Sequence, residues 1–429
     1  MKWLALIGLL LPLSGWADIH DELDALAQEV EAQVVTWRRD IHQHPELSNR
    51  EFRTSKLVAE HLRSLDIDVQ TEVAHTGVVG VLKGGLPGKT VALRADMDGL
   101  PVLERTGLPF ASKAMGRYQG NPVPVMHACG HDTHVAILMG AASVLAAVRD
   151  QLPGTVKFIF QPAEEGPPKG EEGGASLMIK EGVLRDPDVD AVYGLHIGQQ
   201  GPAGTVMYRP EGTMASAQRF DIHIQGRQTH GARPWSGVDP IVVGAQVVSA
   251  LQTLVSRSLD ISGSPAVVTV GQFNAGVRNN IIPDTAKLSG TIRTFDPRIR
   301  TQIHRKIREI AEGVAESMGA TATVEIDPGV PVTYNDPTLT EASLPTLRRV
   351  YGGDNVWLAA RVTGAEDFSF YQEEVPGFFF FIGGRPDGVP PERAIPNHSP
   401  LFDADEQALL PGVRVMSQLA MDYLAREAS

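Results

Sequence analysis

The sequence predicts an α/β fold in which a larger domain with a mostly parallel sheet is interrupted by a smaller α+β domain. In the first half of the chain, short runs rich in Val, Ile and Phe alternate with helix-length segments. This alternation is typical of a parallel sheet covered by helices on both faces. From residue 212 to residue 328 the order becomes strand, helix, strand, strand, helix, strand, which is the βαββαβ order of a ferredoxin-like unit.

The larger domain begins with amphipathic helices. Apolar residues at helical spacing predict one helix over 21–40 and a second over 53–65. An apolar segment predicts a third helix over 135–148. Strands are expected at 78–82, 90–95, 155–160, 189–195 and 378–382.

The smaller domain is expected to be inserted into the larger one. We predict a first part of the larger domain over 18–211, the inserted domain over 212–328 and a second part over 329–429. The strands predicted in the inserted domain are 219–225, 267–274, 286–295 and 322–327, and its helices are 240–255 and 298–318.

Residues 1–17 resemble a secretory signal peptide. They contain a single lysine, an apolar run over 3–13 that is too short to span a bilayer, and the small residues Gly15 and Ala17. We therefore expect removal of residues 1–17 and export of the mature chain to a periplasm. The alternative for this segment is a buried N-terminal helix.

Composition limits the possible partners. The 429 residues are 42% hydrophobic and carry a formal charge of −13 without a basic cluster. A chain of this length is expected to form at least two globular domains. The acidic balance argues against nucleic acid or an anionic membrane as a partner.

The most informative segment runs from Met126 to His134, because it places the only cysteine of the chain, Cys129, among three of the thirteen histidines. A lone cysteine is often a small buried hydrophobic residue. Here its neighbours are imidazoles and a carboxylate, which together form the donor set of a zinc, manganese, cobalt or nickel site. His42 and His44 are further candidates, but a helix end stopped by proline is more often structural.

Other metal-binding side chains follow the predicted strands, where parallel strands bring their carboxyl ends to one edge. The side chains expected to meet there are Asp96 or Asp98, Cys129, His131, Glu164 or Glu165, His196 and His398. One tetrahedral ion cannot use so many ligands, so we expect two divalent ions that share a bridging ligand. Of the adjacent glutamates, one would bind metal and the other would accept a proton from water. Taken singly, each carboxylate is more often a solvated surface group.

Seven motifs in order resemble a family of dinuclear metal amidohydrolases. This family includes hippurate hydrolases, aminoacylase-like enzymes and indole-acetyl-amino-acid hydrolases, and it is related to metallo-carboxypeptidases. The resemblance covers nearly the whole chain after the predicted leader. The motifs are His44-Pro45-Glu46, Arg94 to Pro101, His127 to Asp132, Pro162 to Gly166, Gly194 to His196, Gly364 to Phe368 and Asn397 to Pro400.

The resemblance implies specific roles for these residues. It implies that Cys129 bridges the two metal ions, that Glu164 is the general base and that Asp98 is a supporting carboxylate. The other metal ligands implied by the resemblance are His131, Glu165, His196 and His398. Cys129 replaces the bridging aspartate of the carboxypeptidase relatives. Asp96 stands where those relatives carry a ligand histidine, which leaves a direct contact between Asp96 and a metal open.

The resemblance also assigns roles in the inserted domain. His230 resembles a donor to the substrate carbonyl oxygen, and Asn280 and Arg293 resemble residues that hold a substrate carboxylate. Without the family, an ion pair on a strand face is the simpler interpretation of Arg293. Relatives often dimerise through this domain, with His230 and Asn280 reaching a neighbour's site. We therefore expect a homodimer.

The combined prediction is a metal-dependent hydrolase with two divalent ions per subunit. It would cleave the amide bond of N-acylated amino acids, such as hippurate-like or N-acetyl compounds. A dipeptidase or carboxypeptidase with the same site is the nearer alternative. A non-catalytic periplasmic binding protein is the more distant one.

Overall fold

The computed structural model describes residues 14–428, with side chains from residue 19 to residue 426. This part of the chain forms two compact units. The first unit contains residues 14–207, 342–357 and 380–428, and the second contains residues 208–341 and 358–379.

Helices and strands alternate along the described chain. The α-helices are α1 (Ser14–Gln43), α2 (Phe52–Ser64), α3 (His131–Ala147), α4 (Gly174–Lys180), α5 (Pro240–Ser258), α6 (Pro297–Ser317), α7 (Pro337–Tyr351), α8 (Ser369–Glu374) and α9 (Leu409–Ala428). The first nine strands are β1 (Asp68–Val73), β2 (Gly77–Lys83), β3 (Leu86–Asp96), β4 (Met115–Tyr118), β5 (Asn121–Pro124), β6 (Pro153–Gln161), β7 (Ala191–Pro202), β8 (Val206–Tyr208) and β9 (Glu211–Met214). The remaining strands are β10 (Gln218–Gln225), β11 (Thr229–His230), β12 (Ala266–Ala275), β13 (Ile281–Ile282), β14 (Thr285–Thr294), β15 (Thr321–Ile326), β16 (Thr333–Asn335), β17 (Val356–Leu358) and β18 (Gly377–Arg385).

An eight-stranded mixed sheet has the order β1-β2-β6-β3-β7-β18-β8-β17. Strands β6, β3 and β7 at its centre are parallel, whereas β1 and β2 on one side are antiparallel. The central strands are buried on both faces, which explains why they appear in the sequence as continuous apolar runs. The predicted α/β class with a parallel sheet is therefore confirmed.

Helix α3 lies at the centre of the first unit, packed against α1, α9 and β3. After its polar first turn it is apolar on nearly every face, and the helix is almost wholly buried, which is typical of a helix covered on all sides. A Cβ added at Gly140 would lie 2.8 Å from methyl groups of Val34 on α1 and Val413 on α9, so glycine permits their close approach. The helix begins at His131, four residues earlier than predicted, which places His131 in its first turn.

The second unit contains a four-stranded antiparallel sheet in the order β12-β14-β10-β15, with α5 and α6 packed against it. The chain order β10, α5, β12, β14, α6, β15 confirms the predicted ferredoxin-like arrangement. Alternate residues of β10 are buried, including Phe220 and Ile222, because one face of the strand covers the core. Ile303 and Ile307, four residues apart on α6, pack into the same core.

Aspartates start both helices of this sheet. Asp239 Oδ1 accepts the Ile241 N–H at 2.9 Å, and Asp296 Oδ1 accepts the Arg298 N–H at 2.7 Å. A proline follows each aspartate at the first helical position, where its missing N–H has no intrahelical role. Each cap contributes about 1 kcal/mol to the stability of its helix.

By length and composition alone, helix α5 is long and apolar enough to cross a membrane, with a mean hydropathy of 1.2. Core helices of soluble proteins often have the same length and composition. Val243, Val247 and Leu251 pack into the core beneath the sheet. On the opposite side, Ile241 and Val242 are exposed.

Candidate metal centre

The parallel strands bring the predicted site residues to one edge of the sheet. Ala95 on β3 pairs with Phe160 on β6, so both strands reach this edge together. Asp98 follows β3, and the loop with Glu164 and Glu165 follows β6. His196 lies inside β7, which continues to Pro202 and not, as predicted, to residue 195.

Cys129 has two imidazoles beside its sulfur. The Sγ atom lies 3.4 Å from His196 Nε2 and 3.3 Å from His398 Nε2. His398 Nε2 also lies 3.0 Å from Glu165 Oε1. The thiol is therefore a member of two ligand groups, Cys129 with His131 and His196, and Cys129 with Glu165 and His398, whose donor atoms lie within 4.8 Å of one another in each group.

The histidines present suitable nitrogens to this centre. His196 Nδ1 lies 2.7 Å from the Ile197 carbonyl, to which it can donate, and Nε2 is then the unprotonated nitrogen, which is the form that binds a metal. His131 Nδ1 lies 3.3 Å from Asp98 Oδ1, and its Nε2 lies 3.9 Å from Glu164 Oε2. His131 and Glu165 thus face the same small space as Glu164.

A buried nitrogen indicates that this donor set fits metal ions. His131 Nε2 makes no hydrogen bond of good geometry within the described part of the chain. An unpaired buried polar atom costs about 1–3 kcal/mol, and a metal ion would remove that cost. A thiol, three imidazoles and carboxylates match the preferences of borderline divalent ions.

Burial raises the pKa of the Cys129 thiol to about 12. Burial alone would lower the pKa of His131. The charges of Asp96 and Cys129 and the contact with Asp98 outweigh burial and raise this pKa well above its ordinary value. A cation in this space would replace the imidazolium proton and favour the thiolate. The site therefore balances its negative charge either with a proton or with a metal ion.

Asp98 holds the loop that carries Glu164 and Glu165 in place. Its Oδ1 and Oδ2 accept the backbone N–H groups of Glu164 and Glu165, each at 3.1 Å. Ser48 donates its hydroxyl to Oδ2 at 2.7 Å. Both oxygens are therefore occupied in positioning the loop and His131.

Asp96 belongs to a separate buried network. Arg94 Nη1 donates to Asp96 Oδ2 at 2.6 Å, and His134 Nδ1 lies 2.6 Å from Oδ1. His134 Nε2 accepts the Ile197 N–H at 2.8 Å, so both of its ring nitrogens are used. Asp96, His131 and His134 do form a compact group of donors. However, the Arg94 guanidinium opposes a cation beside Asp96, and we do not assign Asp96 as a ligand.

Glu51 is a residue of the site that the sequence analysis did not identify. It is buried, and its Oε1 accepts the Ala163 N–H at 3.0 Å, while Oε2 accepts the Thr76 hydroxyl. Burial and the nearby charge of Asp98 raise the pKa of Glu51 to about 8. Glu51 and Asp98 together hold three successive N–H groups of the loop, of which Ala163 has a positive φ of 55°. A single glutamate before a helix carries no signal of this role in sequence.

The loop that carries His398 is fixed by its own backbone. The His398 N–H donates to the Ala128 carbonyl at 2.7 Å, and Asn397 Nδ2 donates to the carbonyls of Cys129 and Ile197 at 2.9 and 3.1 Å. His398 itself has a positive φ of 70°. These bonds hold the imidazole beside Cys129 although it is half-exposed.

His42 has a structural role, as predicted for the end of its helix, because it contacts Asp132, the residue after His131. Its Nδ1 lies 2.8 Å from Asp132 Oδ2, and its Nε2 lies 3.2 Å from Glu104 Oε1. Arg38, also buried, donates to the same Asp132 oxygen at 3.0 Å. His44 lies outside this cluster and is exposed.

The remaining predicted residues lie in the second unit. His230 and Asn280 are neighbours, because β11 pairs with β13 and the Gly231 N–H donates to the Asn280 carbonyl at 2.8 Å. His230 Nδ1 accepts the Ala232 N–H at 3.0 Å, which leaves Nε2 as the donor. Arg293 lies on β14 and makes no ion pair with any side chain that the structure describes. The ion-pair alternative for Arg293 is therefore not supported.

The chain was compared with known proteins. Residues 92–422 match the model of Peptidase family M20/M25/M40. The chain is 40% identical over 408 residues to thermostable carboxypeptidase 1 of Saccharolobus solfataricus, covering 95% of this chain and 99% of that protein. It is 38% identical over 395 residues to an N-acetylcysteine deacetylase of Bacillus subtilis, covering 91% and 97%. A dinuclear metal-binding peptidase of the M20 family from Bacillus subtilis has a similar structure, with a TM-score of 0.77, 36% identity and coverage of 93% and 99%.

These comparisons contradict the predicted export to a periplasm. The carboxypeptidase and the deacetylase are enzymes of the cytosolic type. The apolar run of the predicted leader falls in residues 1–13, outside the described residues. Helix α1 runs from Ser14 without a break across the cleavage site predicted after Ala17. The prediction of a periplasmic location is therefore wrong.

The matches cover most of the chain and agree with the motifs and with the two candidate ligand groups. Several relatives are hydrolases of amide bonds, and one similar structure is described as dinuclear. This excludes a non-catalytic binding protein as the interpretation of the fold. The chain therefore belongs to Peptidase family M20/M25/M40 and is a metallo-amidohydrolase.

Proposed function

We propose that the chain hydrolyses the amide bond of N-acylated amino acids, with hippurate-like and N-acetyl compounds as the first substrates to test. Two divalent ions, zinc, manganese, cobalt or nickel, would be held around Cys129. The observation that carries the proposal is the position of the Cys129 sulfur, which is shared by two separate groups of donors. His131 and His196 would complete one ion's ligands, and Glu165 and His398 the other's.

A pair of such ions, when bound, lowers the pKa of a water molecule and polarises a carbonyl group. Glu164 would accept the proton of the attacking water and then deliver it to the leaving nitrogen. Its Oε2 lies 3.9 Å from His131 Nε2, and it belongs to neither of the two groups that contain Cys129. The water oxygen joins the acyl carbon, the carbon–nitrogen bond breaks, and an acid and an amino acid are released.

The second unit would supply groups that recognise the substrate. His230, with Nε2 as donor, would hydrogen-bond the carbonyl oxygen as it gains negative charge. Asn280 and the unpaired Arg293 would hold the carboxylate of the amino acid, since a guanidinium binds a carboxylate with two parallel hydrogen bonds. The proposal is the same whether these three side chains come from the subunit that holds the metal ions or from a neighbouring subunit.

We propose a homodimer through the second unit. Support comes from the exposed side of α5, where Ile241 and Val242 lie with uncharged neighbours, and from β12, an edge strand with exposed Val267 and Phe273. Exposed apolar side chains beside an open strand edge are typical of an interface.

Light scattering after size-exclusion chromatography tests the dimer. Wild type should elute with twice the chain mass of 46.2 kDa, and Val242→Glu should shift it to the monomer. Thr301→Glu, on the exposed side of α6, serves as the matched control. A monomeric wild type would contradict the proposed dimer.

The general base is tested by Glu164→Gln. This variant should retain its metal content, measured by mass spectrometry, and lose about 10²–10⁴-fold in hippurate hydrolysis. The exposed Glu172→Gln is the control and should behave as wild type. Retained hydrolysis in Glu164→Gln would remove Glu164 from the role of base.

A carboxypeptidase or dipeptidase activity on the same site is the second candidate. It is supported by the 40% identity to a carboxypeptidase. The rates of hydrolysis of free dipeptides and of N-acylated amino acids that share the same C-terminal residue distinguish the two activities. Faster cleavage of the free dipeptide would favour this second candidate.

A further inference from the structure

A cavity of about 650 Å³ lies in the first unit beside the candidate metal centre. Its lining includes Glu165, which also belongs to the ligand group with Cys129 and His398. Ser48, whose hydroxyl binds Asp98, lines the same cavity. A substrate whose amide carbonyl lies at the metal centre can therefore extend into this space.

Part of the lining of this cavity is apolar. Leu47 is buried, Leu100 and Pro168 are half-buried, and Tyr118 on the β4–β5 hairpin has 48% of its surface exposed. Burying apolar atoms against these side chains stabilises a complex by about 25 cal/mol per Å². An acetyl group would leave most of this surface uncovered.

Cationic side chains also line the cavity. Arg50, Arg117 and Lys169 are all lining residues, but the Arg50 guanidinium is already paired with Glu171, at 2.6 Å from Nη2 to Oε1. Arg117 makes a single hydrogen bond of 3.4 Å to the Gly120 carbonyl. Lys169 has no hydrogen bond or ion pair with any residue that the structure describes.

The distribution of charge in the lining is therefore uneven. Glu165, at the metal centre, is the only carboxylate among the described lining residues, and Arg117 and Lys169 have no anionic partner there. A ligand that matches these residues has a carbonyl group that reaches Glu165, apolar atoms and an anionic group.

We propose that the cavity binds the acyl group of the substrate and selects acyl chains that end in a carboxylate, such as glutaryl or succinyl. This inference rests on the proposed function, because it assumes that the amide carbonyl lies at the metal centre. Hydrolysis would add the water oxygen to the acyl carbon, break the carbon–nitrogen bond and place a proton on the nitrogen. The products would be a dicarboxylic acid and a free amino acid.

The test compares two substrates of equal acyl length on the metal-loaded enzyme. N-glutaryl and N-pentanoyl derivatives of the same amino acid differ at the chain end, where a carboxylate replaces a methyl group. Two exposed ion pairs with the terminal carboxylate predict a preference of roughly tenfold in kcat/KM for the glutaryl compound. Most of it should appear in KM, and salt should weaken it.

Matched variants locate the effect. Arg117→Gln with Lys169→Gln should bring the glutaryl kcat/KM close to that of the pentanoyl compound and leave the pentanoyl value within about twofold of wild type. Lys113→Gln, exposed on the same unit and outside this cavity, is the control and should keep the full preference.

The outcomes distinguish this inference from the proposed function. If wild type cleaves both compounds equally, or if the double variant keeps the preference, the assignment of the cavity is wrong while the proposed function stands. If wild type cleaves neither these compounds nor hippurate, the proposed function fails and the assignment of the cavity fails with it.

Discussion

The buried His42 should make the folding stability of this chain depend on pH in a predictable direction. Burial alone would lower the pKa of this imidazole, but the charge of Asp132 and the hydrogen bonds that His42 donates to Asp132 and Glu104 outweigh burial and the opposing charge of Arg38, and raise the pKa to about 9. The folded chain therefore holds this proton more tightly than the unfolded chain, whose histidine has the ordinary value of 6.5. The stabilisation is complete below pH 6.5 and is lost as the pH rises through about 9.

The magnitude follows from the two pKa values. A change from 6.5 to about 9 corresponds to roughly 3 kcal/mol of unfolding free energy. His42→Gln removes the titrating group, so the difference in unfolding free energy between wild type and this variant should fall by about that amount between about pH 6 and about pH 10. Taking the difference cancels the contributions of other groups that titrate in this range, such as Lys157.

Urea unfolding followed by circular dichroism measures these free energies. A chelator at every pH keeps metal affinity out of the comparison. His44→Gln is the matched control, because His44 lies on the same chain segment but is exposed. Its difference from wild type should stay constant with pH. Parallel pH dependences for wild type and His42→Gln would refute the reasoning.

Substitutions at three further positions test the supporting structure. Glu51→Leu should leave the Ala163 N–H buried and unpaired, destabilise the chain by about 1–3 kcal/mol and lower kcat, whereas Glu51→Gln should restore most of both in the same assays. Gly130→Ala should lower metal affinity in a chelator titration, because φ is +93° and a Cβ would lie 2.4 Å from Ile197; unchanged affinity would contradict this. Arg94→Met should destabilise the chain by about 3–5 kcal/mol in urea unfolding, because it removes the buried guanidinium that is paired with the buried Asp96 carboxylate at 2.6 Å.

The parts of the fold that sequence predicts best are those with a single strong pattern. Strands β3 and β6 are continuous apolar runs, and α6 has apolar residues at regular helical spacing. Helices α7 and α9 were not predicted. Each contains a proline inside or near its first turns, and tertiary packing, not local propensity, stabilises them.

The candidate site shows the same division. Cys129 and His131 can be predicted as metal ligands from sequence because other side chains that bind metal ions lie beside them in the chain. Glu51 is not visible, since its role depends on a hydrogen bond to Ala163, more than a hundred residues away. Sequence also left open whether Asp96 contacts a metal, and the positions of Arg94 and His134 in the structure show that this carboxylate is already paired.

The central claim is that Cys129 joins two metal ions in one catalytic site. The most direct measurement is the metal content of the purified chain and of Cys129→Ala, together with hippurate hydrolysis, before and after chelation and refilling with zinc, manganese, cobalt or nickel. The account predicts two ions per wild-type chain, hydrolysis that is lost on chelation and restored on refilling, and loss of metal in Cys129→Ala. Full metal content in Cys129→Ala, or a wild-type chain that takes up no metal under any refilling condition, would contradict it.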